Sequence, residues 1–250
     1  MSGGFFFRAV MARATATSAR VLVFIDGQNA YKTCERLYGH GPCHPILLAQ
    51  QVAEGRRLVG VRYYSGVHDP AINPAMRSRT DRRHKLIRRT GVTVVERQLR
   101  YRMEWGFDTT GLPDPEESVG QEIQATLKPY RQPREKGIDL AMGLDVVDLA
   151  LHGRMDVAVI VSEDNDLCEA ARMTHECTRP RRRVSVEAAV FNEGSRPFML
   201  RHYDYTKQLR TEDFEAAKDS FDYERPIEPA WADVFAATCA TITRGFEYGS

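Results

Sequence analysis

VIVSEDNDL (Val159–Leu167) decides how this chain of 250 residues is read. The run VAVIV (Val157–Val161) is apolar without alternation, as in a strand buried on both faces of a parallel sheet. It breaks off at Ser162, and Glu163, Asp164 and Asp166 follow at once. Like charges this close repel one another unless something positive sits among them. The meaning of the cluster depends on whether other carboxylates are brought to the same place.

Working outward, VLVFI (Val21–Ile25) is a second apolar run and ends at Asp26-Gly27. A helix is predicted through Asn29 to Tyr38, and Pro45 opens another that Gly55 stops. LVGVRYY (Leu58–Tyr64) has strand composition, and Pro74–Arg89 reads as a helix with a strongly basic exposed face. A third strand lies within Gly91–Arg102. Asp108–Arg134 holds four prolines and two glycines and is predicted to be a loop or insertion. Ile138–Gly153 carries Leu140, Leu144, Val147 and Leu151 at helical spacing, with Met142, Val146 and Leu149 besides, and predicts a helix buried on more than one side. Asn165–Glu176 reads as a further helix and RVSVEAAV (Arg183–Val190) as a fifth strand. Strands alternating with helices give an α/β fold with a doubly wound, mainly parallel sheet of about five strands. The expected organisation is an arm over 1–19, one domain over 20–205 with an insertion at 108–134, and a tail over 206–250. The tail is read as helical, with helices over Glu212–Lys218 and Ala230–Thr241.

Charged residues make up 28% of the chain but nearly cancel, to +1. Such a balance does not advertise nucleic-acid binding, yet the charges are segregated. Arg77–Arg89 and RPRRR (Arg179–Arg183) are basic clusters. Five cysteines, without repeated spacing, favour reduced thiols and a cytoplasmic location. No apolar run approaches the roughly 18 residues that span a bilayer. The first 20 residues have arginines and no acids, as in a transit peptide or a loose arm, with Met11 an alternative start.

In an open α/β sheet, ligands bind beyond the carboxyl ends of the strands. Asp26 follows the first strand there, and Asp164 and Asp166 follow the fourth. Asp139 stands at a helix start after Lys136-Gly137. Together they are an oxygen-donor set suited to Mg²⁺ or Mn²⁺. Each has a plainer reading: Asp139 and Asp164 as helix N-caps, Asp26-Gly27 as a turn, Asn29 as a polar residue at a helix start.

FIDGQNAY (Phe24–Tyr31), EKGIDLAMGLDVVDLA (Glu135–Ala150) and VIVSEDNDL resemble, in order and spacing, the three signature blocks of the NYN domain family, a branch of the PIN-like ribonucleases. The resemblance implies a PIN-like fold and metal-dependent hydrolysis of RNA. It implies Asp26, Asp139 and Asp164 as the main metal-binding carboxylates, with Asp145 and Asp166 supporting them. Asn29 would orient Asp26 or a metal-bound water, Lys136 would approach a phosphate or hold Asp139, and Ser162 would contact substrate. Where the family usually has Gly after the Ser, this chain has Glu163, which either strengthens metal binding or crowds the phosphate. Several PIN-like relatives pair, which implies a homodimer.

Beside such a cleft, Arg82, Arg83, Lys85 and Arg88 would track phosphates of single-stranded or structured RNA, while Tyr63, Tyr64 and Tyr101 stack bases. CERLYGHGPCH (Cys34–His44) offers two Cys and two His, but without a standard zinc spacing. His84 and His152 read as helix-surface residues. The leading function is a metal-dependent ribonuclease, a phosphodiester hydrolase using Mg²⁺ or Mn²⁺. The alternative is a catalytically weak or inactive RNA- or nucleotide-binding module that acts through protein partners, with the C-terminal tail as a docking element. A nucleophilic-Asp phosphatase is disfavoured because DGQN lacks the second acid, and no P-loop occurs. No membrane partner is expected.

Overall fold

Six strands form one parallel sheet in the order β3-β2-β1-β6-β7-β8. They are β1 (Arg20–Asp26), β2 (Arg57–Val67), β3 (Thr93–Gln98), β6 (Val157–Val161), β7 (Ser185–Val190) and β8 (Tyr205–Gln208). A separate antiparallel ribbon pairs β4 (Arg100–Asp108) with β5 (Thr126–Arg134). The helices are α1 (Gly27–Tyr38), α2 (Pro45–Ala53), α3 (Pro74–Arg89), α4 (Ile138–Leu151), α5 (Cys168–Thr178) and α6 (Thr211–Ala217). This computed structural model describes residues 18–108, 126–179, 183–191, 202–219 and 221. Most of the expected arm, much of RPRRR and the helix expected over Ala230–Thr241 lie outside the described residues.

Strand periodicity builds two cores from one strand. Val21, Val23 and Ile25 of β1 point to one face, where α1, α2 and α6 supply Ala30, Ile46, Leu48 and Phe214, and α3 adds Ile87. Leu22 and Phe24 point to the other, against Ile138, Met142 and Val146 of α4 and Ala170 and Ala171 of α5. Helices on both faces make the sheet doubly wound, as its unbroken apolar strands require. No helix among the described residues is long and apolar enough to cross a membrane.

Four expectations are corrected. The sheet has a sixth strand, β8, so the boundary drawn at 205/206 falls inside a strand. Phe214 of α6 is fully buried, so the start of the expected tail belongs to the core. The expected loop over 108–134 is, where described, half of the ribbon, in register from Arg100↔Arg134 to Asp108↔Thr126. Its prolines misled: both strands of an isolated ribbon are edges, and Pro is tolerated where its nitrogen faces outward. Pro129 and Pro133, four residues apart, occupy the same phase of the pairing, opposite Trp105 and Tyr101. Finally, α4 is buried on one side only. Leu140, Leu144 and Leu151 stand 67%, 60% and 55% exposed, while Met142 and Val146 are fully enclosed.

Candidate active site

The strand order reverses between β1 and β6, so the chain leaves their carboxyl ends in opposite directions and opens a crevice. Ile25 pairs with Val161 in parallel register, which brings the next residues, Asp26 and Ser162, side by side. The Ser162 hydroxyl donates to Asp26 Oδ2 at 3.2 Å, and the Asp164 N–H donates to the same hydroxyl oxygen at 3.1 Å. Asp26 Oδ1 accepts the Asn29 N–H at 3.0 Å, so the carboxylate caps α1. Gly27 is obligatory here: a Cβ would lie 2.5 Å from the Tyr63 ring and 2.7 Å from the Tyr64 carbonyl oxygen. Asp-Gly is therefore a close approach of β1 to β2 rather than a free turn.

Asp139 arrives from the other direction. Gly137 has φ 80°, a left-handed conformation suited to glycine, and it launches α4 with Asp139 in the first turn. At that position the helix dipole favours an anion.

These groups feel one another. Burial pushes the Asp26 carboxyl up from 3.8 to about 6, and the charges of Asp139 and Asp164 add to the shift, against hydrogen bonds from Asn29 and Ser162. Asp139 is raised by burial, then by Asp164 and Asp166. Glu135, absent from the expected site, belongs to the same group. Its Oε1 accepts the Gly66 N–H at 2.9 Å, and burial followed by the charge of Asp26 pushes it up to about 7. Lys32 of α1 opposes that shift. The signal for Glu135 was available: it is the carboxylate that opens the EKGID block.

Other expected residues fall elsewhere. Asp145 lies six residues beyond Asp139, about 240° around the helix. Its Oδ2 accepts from Arg62 Nη2 at 2.7 Å and from the Tyr64 hydroxyl at 2.6 Å. It is thus part of a structural ion pair and is not gathered with the other acids. The Asn29 side chain accepts the Glu163 N–H at 2.9 Å, lacing α1 to the end of β6, while its backbone holds Asp26. Glu163 turns away from the acids, toward Thr33 and Arg36 of α1 at 3.4 and 3.3 Å. Asp166 is exposed, its N–H bound to Asp164 Oδ1 at 2.9 Å. Lys136 is exposed and forms no ion pair with a described residue.

The expected RNA track along α3 is largely occupied. Arg83 donates to the Tyr63 hydroxyl, the Cys43 carbonyl and Asp219, and Arg88 donates to Glu96. Arg82 and Lys85 remain on the exposed side. Tyr64 is fully buried and Tyr63 nearly so, so neither ring is free to stack a base. His84 is buried against Glu96 at 2.8 Å, whereas His152 is on the surface. The sequence misleads because α3 is basic in composition, yet His84, Leu86 and Ile87 set its inner face.

Among the described residues, no three His, Cys, Asp or Glu side chains stand close enough to hold a metal as they are. That includes the Cys34–His44 segment, where His40 Nε2 is spent on the Asp219 carbonyl. The carboxylates at the crevice nevertheless match a hard cation in kind: all donors are oxygens, the charges of their neighbours raise the proton affinity of Asp26, Asp139 and Glu135, and Lys32 acts on Glu135.

The model of the NYN domain matches residues 20–205. The chain belongs to the NYN domain family. No curated protein matches it. Its fold is similar to that of a Vibrio parahaemolyticus protein of unknown function, at 16% identity and TM-score 0.50, over 79% of this chain and 97% of that one. An NYN domain has a PIN-like, nuclease-type fold, and the crevice at its strand reversal holds the acids described above.

Proposed function

We propose that this NYN domain is a metal-dependent ribonuclease that hydrolyses RNA phosphodiester bonds. One observation carries the reading: Asp26, Asp139 and Asp164 arrive from three separate segments at the strand reversal, near enough that the charges of Asp139 and Asp164 raise the proton affinity of Asp26, and that of Asp164 raises Asp139. A structural acid gains nothing from such company; a cation-binding acid does.

Asp26, Asp139 and Asp164 would hold Mg²⁺ or Mn²⁺, with Asp166 at the rim. Holding a cation would bring these carboxylates closer together than they stand. A divalent cation bound there would activate water near neutral pH and offset charge on the attacked phosphate. Ser162 and the Asn29 N–H fix both oxygens of Asp26, so that carboxylate needs no reorganisation. Glu135, held by the Gly66 N–H beside Asp26, would take the proton of the attacking water as general base. Lys32 and Lys136 supply positive charge for the phosphate.

The second reading, a binding module without turnover, is favoured by the donor set not being closed among the described residues. End-labelled single-stranded RNA incubated with Mn²⁺, Mg²⁺ or EDTA separates the two. Metal-dependent cutting that Asp164→Asn abolishes supports the nuclease. Binding without cutting in both chains sinks it.

A further inference from the structure

The β4–β5 ribbon takes no part in the six-stranded sheet. Trp105 is 70% exposed, Met103 56% and Tyr130 46%. Large apolar groups held open to water on a narrow ribbon mark a contact surface. Five cations of the ribbon (Arg100, Arg102, Lys128, Arg131 and Arg134) face two acids, in a chain whose overall charge is only +1. One of those acids, Glu104, pairs with Arg134.

Pairing sets what shares a face. Met103 lies opposite Arg131 and Trp105 opposite Pro129, so ring, thioether and guanidinium project together. Tyr130, opposite Glu104, lies on the other face with Arg102 and Lys128. One face therefore combines Trp105 with one guanidinium, that of Arg131, and the other combines Tyr130 with the remaining four cations.

The root of the ribbon is at the acids. The Leu99 N–H, one residue before β4, donates to the Val67 carbonyl at the end of β2. The residue after β5 is Glu135, held by the Gly66 N–H. The charges of Asp26 and Asp139 reach Glu135, so the neck of the ribbon adjoins the acids.

We propose that the β4–β5 ribbon is a binding arm for single-stranded RNA, with Trp105 and Tyr130 stacking bases while Arg102, Lys128 and Arg131 meet phosphates. This deepens the nuclease reading and rests on it for the identity of the polymer. Exposed rings suit unpaired bases, whose flat faces are open; in a duplex those faces are already stacked. A protein partner would also cover apolar rings, but it would not call for cations on both faces.

The test is fluorescence anisotropy of a fluorescein-labelled 15-mer oligouridylate with the full chain in EDTA, so that binding is read apart from cutting. Trp105→Ala should weaken binding about tenfold, as loss of one base stack does. Arg102→Ala with Arg131→Ala should lower the log–log salt slope by about 1.4, the value for two phosphates on a single strand. Thermal melting checks that both variants fold. Unchanged affinity and slope in both variants overturn the arm, as does tighter binding of a duplex of equal length. A wild type that does not bind the oligomer overturns it too and leaves the ribbon to a protein partner. Wild-type binding that fails in the variants, with no Mn²⁺-dependent cutting by any chain, upholds the arm and removes the nuclease.

Discussion

The Ser162 hydroxyl stands 3.2 Å from Asp26 Oδ2 and donates to it, while accepting the N–H of Asp164. One hydroxyl thus holds two acid-bearing segments in place. Ser162→Ala should cost about 1 kcal/mol of stability, the worth of a typical hydrogen bond. It should also raise the Asp26 pKa further, because the lost bond favours the charged form. The acid limb of the pH–rate profile should move to higher pH; an unmoved limb with lower stability would make Ser162 merely structural.

The contribution of Asp26 to stability without metal should fall as pH rises. The folded-state pKa of Asp26, about 6, lies above its ordinary 3.8, so the folded protein holds the proton more tightly than the unfolded chain. That contribution is complete below about pH 4 and is lost as pH passes 6, on the order of 2–3 kcal/mol. Denaturant melts in EDTA from pH 4 to 7.5 should show it as the difference between the wild type and Asp26→Asn, the wild type losing stability relative to the variant as pH rises. Millimolar Mn²⁺ at pH 7.5 should restore stability by mass action, by roughly 2.7 kcal/mol at a hundredfold excess over Kd.

Asp145→Asn should behave differently from Asp139→Asn. The first breaks the pairing with Arg62 and Tyr64 and should cost about 1–3 kcal/mol of stability, leaving the Mn²⁺-induced rise in Tm in place. The second should leave the fold intact and abolish that rise. A lost Mn²⁺ response in Asp145→Asn would return it to the metal site.

Arg83→Ala is expected to destabilise the fold by roughly 2–4 kcal/mol, because it uncovers a buried Asp219 and releases Tyr63. RNA affinity at fixed salt should be unchanged in whatever fraction stays folded.

Glu163→Gly should leave metal affinity, read by isothermal titration, within a factor of about three. Its carboxylate engages Thr33 and Arg36, and an exposed pair of that kind contributes up to about 1 kcal/mol. A tenfold change would mean that the side chain reaches the acids.

The neighbouring places of Asp26 and Asp164 were legible because apolar runs without alternation mark parallel strands, whose ends are fixed by the first polar residue; Asp139, at a helix start, was singled out by the resemblance to the NYN blocks. Helical phase, applied strictly, would also have separated Asp145 from Asp139. The inward turn of Arg83, His84 and Tyr64 was not legible, since it depends on tertiary partners such as Asp219, Glu96 and Asp145. Nor was the ribbon: proline content says where a nitrogen cannot donate, not that it faces an edge. Glu135 stands in a legible block, but its anchor, the Gly66 N–H 69 positions away, did not show.

That last bond has an evolutionary reading. Leu99 N–H to Val67 and Gly66 N–H to Glu135 pinch the two ends of the ribbon together, and no strand of the large sheet lies between them. An appendage tied at its neck can be lengthened, recharged or exchanged without disturbing the acids of the crevice. Hydrolytic chemistry and choice of target would then be inherited on separate pieces of chain, and a short turn between residues 99 and 135 should yield a folded domain stripped of its preference.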